Sequence, residues 1–173
     1  MEKEGLTLVF TGNGKGKTTS AMGQVLRAVG HGCGALVVFF MKGRDYGEYK
    51  AAEQLAGLDV VKAGRDCFVD RENPDPVDLS MAREGFALAR EAALKGNYDL
   101  VVLDEINVAV DFGLVPLQDV LSLIREKHPR VHLILTGRYA HPEIIEAADT
   151  VSELKEIKHH YNSGIGAKKG IEY

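Results

Sequence analysis

Short, nearly unbroken apolar runs alternate along this chain with longer segments whose apolar residues recur at helical spacing. The runs cover residues 6–10, 35–40 (ALVVFF), 58–63, 98–103 and 131–135, with a weaker one at 150–154. Continuous apolar runs of this length mark strands buried on both faces of a parallel sheet, because a strand with one wet face would alternate. Between them, residues 18–31 place Ala21, Met22, Val25, Leu26 and Val29 on one helical face and end at Gly30 and Gly32. Residues 79–95 do the same with Met81, Phe86, Leu88, Ala89, Ala92 and Ala93, closed by Gly96 and Asn97. Shorter helices are expected over 48–56, over 116–127 with Pro116 in the first turn, and over 141–148. Strands alternating with helices predict a three-layer α/β domain with a mainly parallel sheet. Residues 64–78 form the longest irregular stretch, read as a lid over a site, and 107–113 is an apolar-polar segment whose structure the pattern leaves open, a second such loop being one reading.

In such sheets ligands gather outside the carboxyl ends of the strands, so the residues that follow each run carry the chemistry. The first run leads into Gly12-Asn13-Gly14-Lys15-Gly16-Lys17-Thr18-Thr19 and then a helix. A glycine loop at a helix start turns backbone N–H groups toward an anion, Lys17 would reach phosphate oxygens, and the Thr18 hydroxyl would sit on magnesium. Thr11 stands where the usual G-x-x-x-x-G-K-[ST] pattern has its first glycine, so the loop is one residue short from Gly12. The fourth run ends in Asp104-Glu105, as a Walker B strand does; a phosphate-bound magnesium needs one or two such carboxylates, and spacing leaves open which one touches it. Lys42 and Arg44 follow the second run, and Arg138 the fifth. From charge alone Lys42 and Arg44 read equally as substrate contacts or as a basic turn. Arg27 reads as part of a solvated helix face or as a residue pointing back to a phosphate.

The 64–78 stretch carries Cys67, Phe68 and Val69 among charges, apolar side chains that either cover a flat ligand or pack down on the domain. The tail holds His159-His160-Tyr161 and then Gly164, Gly166, Lys168, Lys169 and Gly170. Adjacent histidines suggest a metal or cobalt ligand, a weak signal without further ligands at spacing. The tail either folds over a ligand or is mobile.

Length and composition narrow the field. With 173 residues the chain is read as one domain, and 45% hydrophobic with 27% charged residues is the balance of a globular protein. A net charge of −4 and pI near 5.9 give no basic field for nucleic acid. Cys33 and Cys67 form no CxxC, which suggests neither a zinc site nor a disulfide framework. No apolar run approaches a membrane span, the charged start Met1-Glu2-Lys3-Glu4 does not read as a signal peptide, and a cytoplasmic location is expected.

Taken together, VFTGNGKGKTTSAMG, DLVVLDEIN, LTGR and ADTVSELKEIKHHYNSGIGAKKGIEY resemble the P-loop type of ATP:cob(I)alamin (corrinoid) adenosyltransferase, with support from FFMKG, RAVGHG and DRENPD. The resemblance runs from about Leu6 to Tyr173, and the short loop is a trait of that family. It implies a RecA-like P-loop fold and transfer of the 5′-deoxyadenosyl group of ATP to the cobalt(I) of a reduced corrinoid, with release of triphosphate. Residues 12–19 would hold the triphosphate, with Lys17 and Glu105 in the catalytic roles, and Thr18, Glu105 and Asp104 would hold Mg2+. In the family ATP lies in the reverse sense to ordinary P-loop enzymes, and loop aromatics keep axial ligands off cobalt(II). Here the loop aromatic is Phe68, since the chain has no tryptophan. Lys42, Phe68 and Arg138 are the candidate corrinoid or substrate contacts. Some members carry an N-terminal helix that caps the corrinoid; five residues precede Leu6 here. A flavodoxin-like or other reductant and a homodimer are further expectations. Two rival readings remain: a P-loop ATPase or small-molecule kinase acting at the γ-phosphate, and a non-catalytic corrinoid carrier.

Overall fold

The structure is a computed structural model that describes residues 5–43 and 46–173; Arg44, one of the candidate basic residues, lies outside them. Strands β1 (Thr7–Thr11), β2 (Ala35–Phe40), β3 (Leu58–Ala63), β4 (Leu100–Asp104), β5 (His132–Thr136) and β6 (Thr150–Glu153) form one sheet in the order β3-β2-β4-β5-β1-β6. Every pairing is parallel. All carboxyl ends therefore lie along one edge of the molecule. This is the three-layer α/β arrangement with a parallel sheet that the strand–helix alternation predicts, and it is consistent with the RecA-like P-loop fold that the resemblance implies.

The helices are α1 (Lys17–Gly30), α2 (Gly47–Ala52), α3 (Pro76–Lys95), α4 (Ile106–Asp111), α5 (Leu117–Glu126) and α6 (Pro142–Ala147), followed by a single 3-10 turn (His160–Ser163). The pleat sends alternate strand residues to opposite faces. Leu36, Val38 and Phe40 of β2, Leu103 of β4 and Leu133 and Leu135 of β5 pack with Phe86, Ala89 and Ala93 of α3 and with Val120 and Leu123 of α5. Val37 and Phe39 of β2, Val102 of β4 and Ile134 of β5 pack under Ala21 and Val25 of α1 and Tyr49 of α2. The two faces together leave β2 and β4 buried at every position, which is why both read as unbroken apolar runs.

Several expected boundaries move, and the helix expected over 48–56 ends at Ala52. The irregular stretch shortens to 64–75, because Asp75 caps α3 by accepting from the Val77 N–H at 2.8 Å and Pro76 takes the first helical position. Within 107–113, whose structure the pattern leaves open with a loop as one reading, residues 107–111 belong to α4, whose Ile106 and Ala109 are fully buried. A helix of six residues gives too few repeats for a period to show in sequence.

Helix α3 sits close on the sheet at Gly85, where a Cβ would lie 2.4 Å from Cβ of Ala63 and 3.3 Å from Cγ1 of Val38. Gly23 in α1 is exposed and would meet nothing within 4 Å. Urea denaturation should therefore separate the two glycines. Gly85→Ala should lose roughly 1–3 kcal/mol by overpacking, whereas Gly23→Ala should gain about 0.5–1 kcal/mol from helix propensity. Equal effects would contradict this packing.

Candidate active site

The loop after β1 turns at Gly12 (φ 94°) and reaches Gly16, whose φ of 114° at the N-cap starts α1. Lys17, the first helical residue, folds back so that its Nζ donates to the Gly14 carbonyl at 2.7 Å. It is 8% exposed. Burial pushes this ammonium below the ordinary lysine range; Glu105 opposes that, and the Arg138 and Lys42 cations reinforce it. A desolvated cation behind a glycine loop is a site that an anion would relieve.

Opposite it, Asp104 ends β4 with 1% exposure. Its Oδ1 accepts from the Thr136 hydroxyl at 2.6 Å, and that same hydroxyl accepts from the Glu105 N–H at 2.9 Å. Thr136 thus fixes both acidic residues from the neighbouring strand. Asp104 Oδ2 accepts from the Thr18 hydroxyl at 3.2 Å and from Lys42 Nζ at 2.5 Å, and Lys42 Nζ also donates to Thr18 Oγ1 at 2.9 Å. Glu105 does not continue the strand. It takes a left-handed conformation (φ 64°), which turns its carboxylate toward Lys42, with Oε1 at 3.8 Å from Nζ. Burial first raises the Glu105 pKa, Asp104 adds to this, and Lys42, Lys17 and Arg138 offset it only in part. On Lys42, burial works to lower the pKa, but Asp104 and then Glu105 outweigh it and leave the ammonium firmer than an ordinary lysine. One hydroxyl and two carboxylates around a single cation form an oxygen-only donor set, the chemistry a hard ion such as Mg2+ requires.

These groups open into a cleft of about 460 Å³ lined by residues 13–19, Lys42, Glu105 and Arg138. Of the sequence candidates, the fold brings Asn13, Gly14, Lys15, Gly16, Lys17, Thr18, Thr19, Lys42, Glu105 and Arg138 to this cleft, with Asp104 bonded to Thr18; Gly12 does not line it and lies against Leu154 of the tail. Arg27 is not among them. It lies in the last turn of α1, donates to Gln24 Oε1 at 3.1 Å, and borders a separate cleft with Leu8, Leu100 and His132 at the amino ends of the strands. Phe68 is 96% exposed and borders a small hollow beside the main cleft, together with Lys42 and Tyr46. Its neighbour Val69 packs against the core, so the loop is anchored at one apolar residue and offers the other. Arg65, bidentate to Asp78 at 2.8 and 2.7 Å, and Arg71, paired with Asp111 at 3.0 Å, tie that loop across the strand ends.

The tail forms the far wall. Gly14 N–H donates to Leu154 O at 2.7 Å, and Lys15 Nζ to Ile171 O at 2.6 Å. A Cβ on Gly12 would stand 2.4 Å from Leu154 O, and one on Gly14 2.8 Å from it, so this crossing needs glycine. Glu156, His159, Tyr161, Asn162, Ile171 and Glu172 line the cleft. Apart from the weak metal signal at His159, sequence reasoning assigned no role to these residues, nor to Thr136, Tyr46 and Glu48; only the tertiary return of the tail over the loop shows them at the cleft. Nε2 of His159 and of His160 each face one oxygen of Glu172 at 3.4 Å. His159 Nδ1 accepts from the Tyr161 N–H at 3.2 Å, which places its proton on Nε2, toward the carboxylate. Both imidazoles thus face one carboxylate of the tail, and His160 Nε2 makes no hydrogen bond among the described residues.

An anion that pairs with Lys17 should stabilise the protein. With inorganic tripolyphosphate at ~100 Kd the melting temperature should rise by roughly 5–10 °C, and Lys17→Met should remove most of that rise. Because the folded-state pKa of Lys17 is lowered, the unfolded chain binds more protons at pH values between the two, and this contribution to stability rises with pH toward 10. The stability of wild type relative to Lys17→Met should therefore improve from pH 7 to pH 10 in anion-free buffer. A flat or falling difference in urea titrations would contradict the burial of this ammonium.

Comparison with known proteins places the chain among relatives. Residues 3–173 match the family described as ATP:corrinoid adenosyltransferase BtuR/CobO/CobP. The chain is 38% identical over 173 residues to the corrinoid adenosyltransferase of Escherichia coli K12, covering 99% of this chain and 87% of that protein. It is 38% identical over 176 residues to the corrinoid adenosyltransferase of Pseudomonas aeruginosa, covering 99% and 85%. Identity is also 38% over 175 residues to corrinoid adenosyltransferase CobA of Salmonella typhimurium, covering 99% and 87%.

Proposed function

The chain belongs to the ATP:corrinoid adenosyltransferase family, and from that premise we propose that it transfers the 5′-deoxyadenosyl group of ATP to the cobalt(I) of a corrinoid, releasing triphosphate. In this reaction the cobalt(I) electron pair attacks the ribose C5′, a Co–C bond forms, and the C5′–O bond breaks with its electrons leaving on the triphosphate. Cobalt(I) is itself a strong nucleophile, so no general base is needed. The protein's work is alignment and neutralisation of the leaving charge.

The observation that carries this reading is the meeting of Lys17, Thr18, Asp104, Glu105 and Arg138 around one cleft at the carboxyl edge. Lys15, Lys17 and the loop N–H groups would hold the triphosphate, and Arg138 approaches from the end of β5. Thr18, Glu105 and Asp104 would hold Mg2+, which would share the charge of the departing group. For the triphosphate to settle on the loop, the Gly14 N–H has to exchange its Leu154 carbonyl for phosphate oxygen, so the tail moves as the nucleotide enters. Exposed Phe68 beside Lys42 and Tyr46 supports a corrinoid face next to the nucleotide cleft. A flavodoxin-like or other electron donor and a homodimeric state belong to the same proposal. Among the described residues no helix is long and apolar enough to cross a membrane.

The test is anaerobic: protein, Mg-ATP and chemically reduced cob(I)alamin are followed by absorbance, with phosphate products identified. Loss of the cobalt(I) band, a light-sensitive alkyl-cobalt product and triphosphate are expected. ADP formed without corrinoid would instead establish a phosphoryl-transfer enzyme, and corrinoid binding without ATP consumption a carrier. Glu105→Gln should lower kcat by about 10²-fold or more, as loss of a charge-stabilising group does, with far-UV circular dichroism unchanged. Phe68→Ala should slow the reaction that starts from cobalt(II) more than the one that starts from cobalt(I). Equal losses in the two assays would remove Phe68 from the corrinoid face.

A further inference from the structure

Lys42 occupies the place of a cation. Its Nζ lies 2.5 Å from Asp104 Oδ2, 2.9 Å from Thr18 Oγ1 and 3.8 Å from Glu105 Oε1. These are the three side chains to which the proposed function gives Mg2+, so an ammonium and a divalent ion compete for one set of oxygens. The competition has a physical cause. Asp104 is 1% exposed, and two hydroxyls from Thr18 and Thr136 do not neutralise a buried carboxylate. The only cation within hydrogen-bonding distance of Asp104 among the described residues is Lys42.

We propose that Lys42 is a tethered stand-in for the divalent cation: it neutralises the Thr18–Asp104–Glu105 cage when nucleotide is away, and gives it up when the metal arrives with the nucleotide. The inference rests on the reading of those three residues as the metal cage. A lysine suits such an exchange, since its ammonium is a point charge on a flexible four-carbon stem and makes no fixed bidentate fork. Lys42 also has room to move. It borders both the main cleft and the hollow of about 90 Å³ toward Tyr46, Arg65 and Phe68, so withdrawal requires no repacking of the core. In the main cleft the displaced ammonium meets the phosphates that accompany the metal, exchanging a carboxylate partner for an anionic one of the substrate. Lys42 is thus a positioning residue. It suppresses binding of metal alone and couples metal entry to nucleotide entry.

The test uses the full chain, freed of metal, with Mn2+ as the probe and neither nucleotide nor corrinoid present. Free Mn2+ is read by electron paramagnetic resonance. Lys42→Met removes the tethered charge and should bind Mn2+ at least tenfold more tightly than wild type, while Lys42→Arg should bind no more tightly. Adding Asp104→Asn to Lys42→Met should abolish the gain. Unchanged or weaker Mn2+ binding by a natively folded Lys42→Met protein would overturn the proposal. A measurement on the wild type covers the case in which that variant fails to fold: saturating Mn2+ should raise amine-reagent labelling of Lys42 several-fold by mass spectrometry, and unchanged or reduced labelling would equally overturn it. No corrinoid enters these experiments, so adenosyl transfer and this cation exchange stand or fall separately.

Discussion

A carboxylate that cannot reach water organises this protein. Asp104 closes β4 between β2 and β5, with Phe39 its register partner on one side and Thr136 bonded to it on the other. An ionised group in that position needs hydrogen bonds and a counter-charge, because the interior solvates it poorly. Thr136, Thr18 and Lys42 supply them, from the end of β5, the first turn of α1 and the segment after β2. Satisfying one buried charge therefore pulls four chain segments into register at the carboxyl edge. The same arrangement forms an oxygen cage facing a desolvated lysine, which is the electrostatic pairing that a metal–triphosphate complex would complete.

The edge is held in an unusual backbone state. Among the described residues three non-glycine positions have positive φ: Met41 after β2, Glu105 after β4 and Tyr139 after β5 (56°, 64° and 61°). Each such residue costs on the order of 1–3 kcal/mol and persists only where its surroundings hold it. Their location is informative. All three follow strands that end at the cleft, and at Glu105 the consequence is visible, since the turn redirects a carboxylate that would otherwise continue outward along the strand. Residues that flank them, Lys42 and Arg138, line the same cleft.

The remaining walls are made by segments that are remote in sequence. The tail crosses the glycine loop through Leu154 and Ile171 and turns back so that Glu172 lies beside His159 and His160. The 64–75 loop is stapled by Arg65 to Asp78 and by Arg71 to Asp111, which leaves Phe68 free of the core. Both segments are joined to the scaffold by few, mostly polar contacts. Elements of that kind can open for a large substrate at lower cost than those in the core.

Much was determined by local sequence. Apolar runs gave away β2 and β4 because strands buried on both faces admit few polar residues, and the glycine loop, Lys17, Thr18 and Asp104-Glu105 were legible as a candidate site because phosphate and metal binding, which we propose for them, would constrain both residue type and spacing. Those signals are short in range. The segment 107–113 hid most of a six-residue helix, since a period cannot show in so few residues, and Arg27 was drawn toward the phosphate only by its distance along the chain, while α1 carries it to the opposite edge. What tertiary structure alone decided depends on parallel crossovers that bring distant segments side by side: Thr136 fastening both acidic residues, the tail as a wall, and Lys42 seated among three oxygens. No window of sequence contains both ends of those contacts, and each exists because a buried charge takes its partners from wherever the fold delivers them.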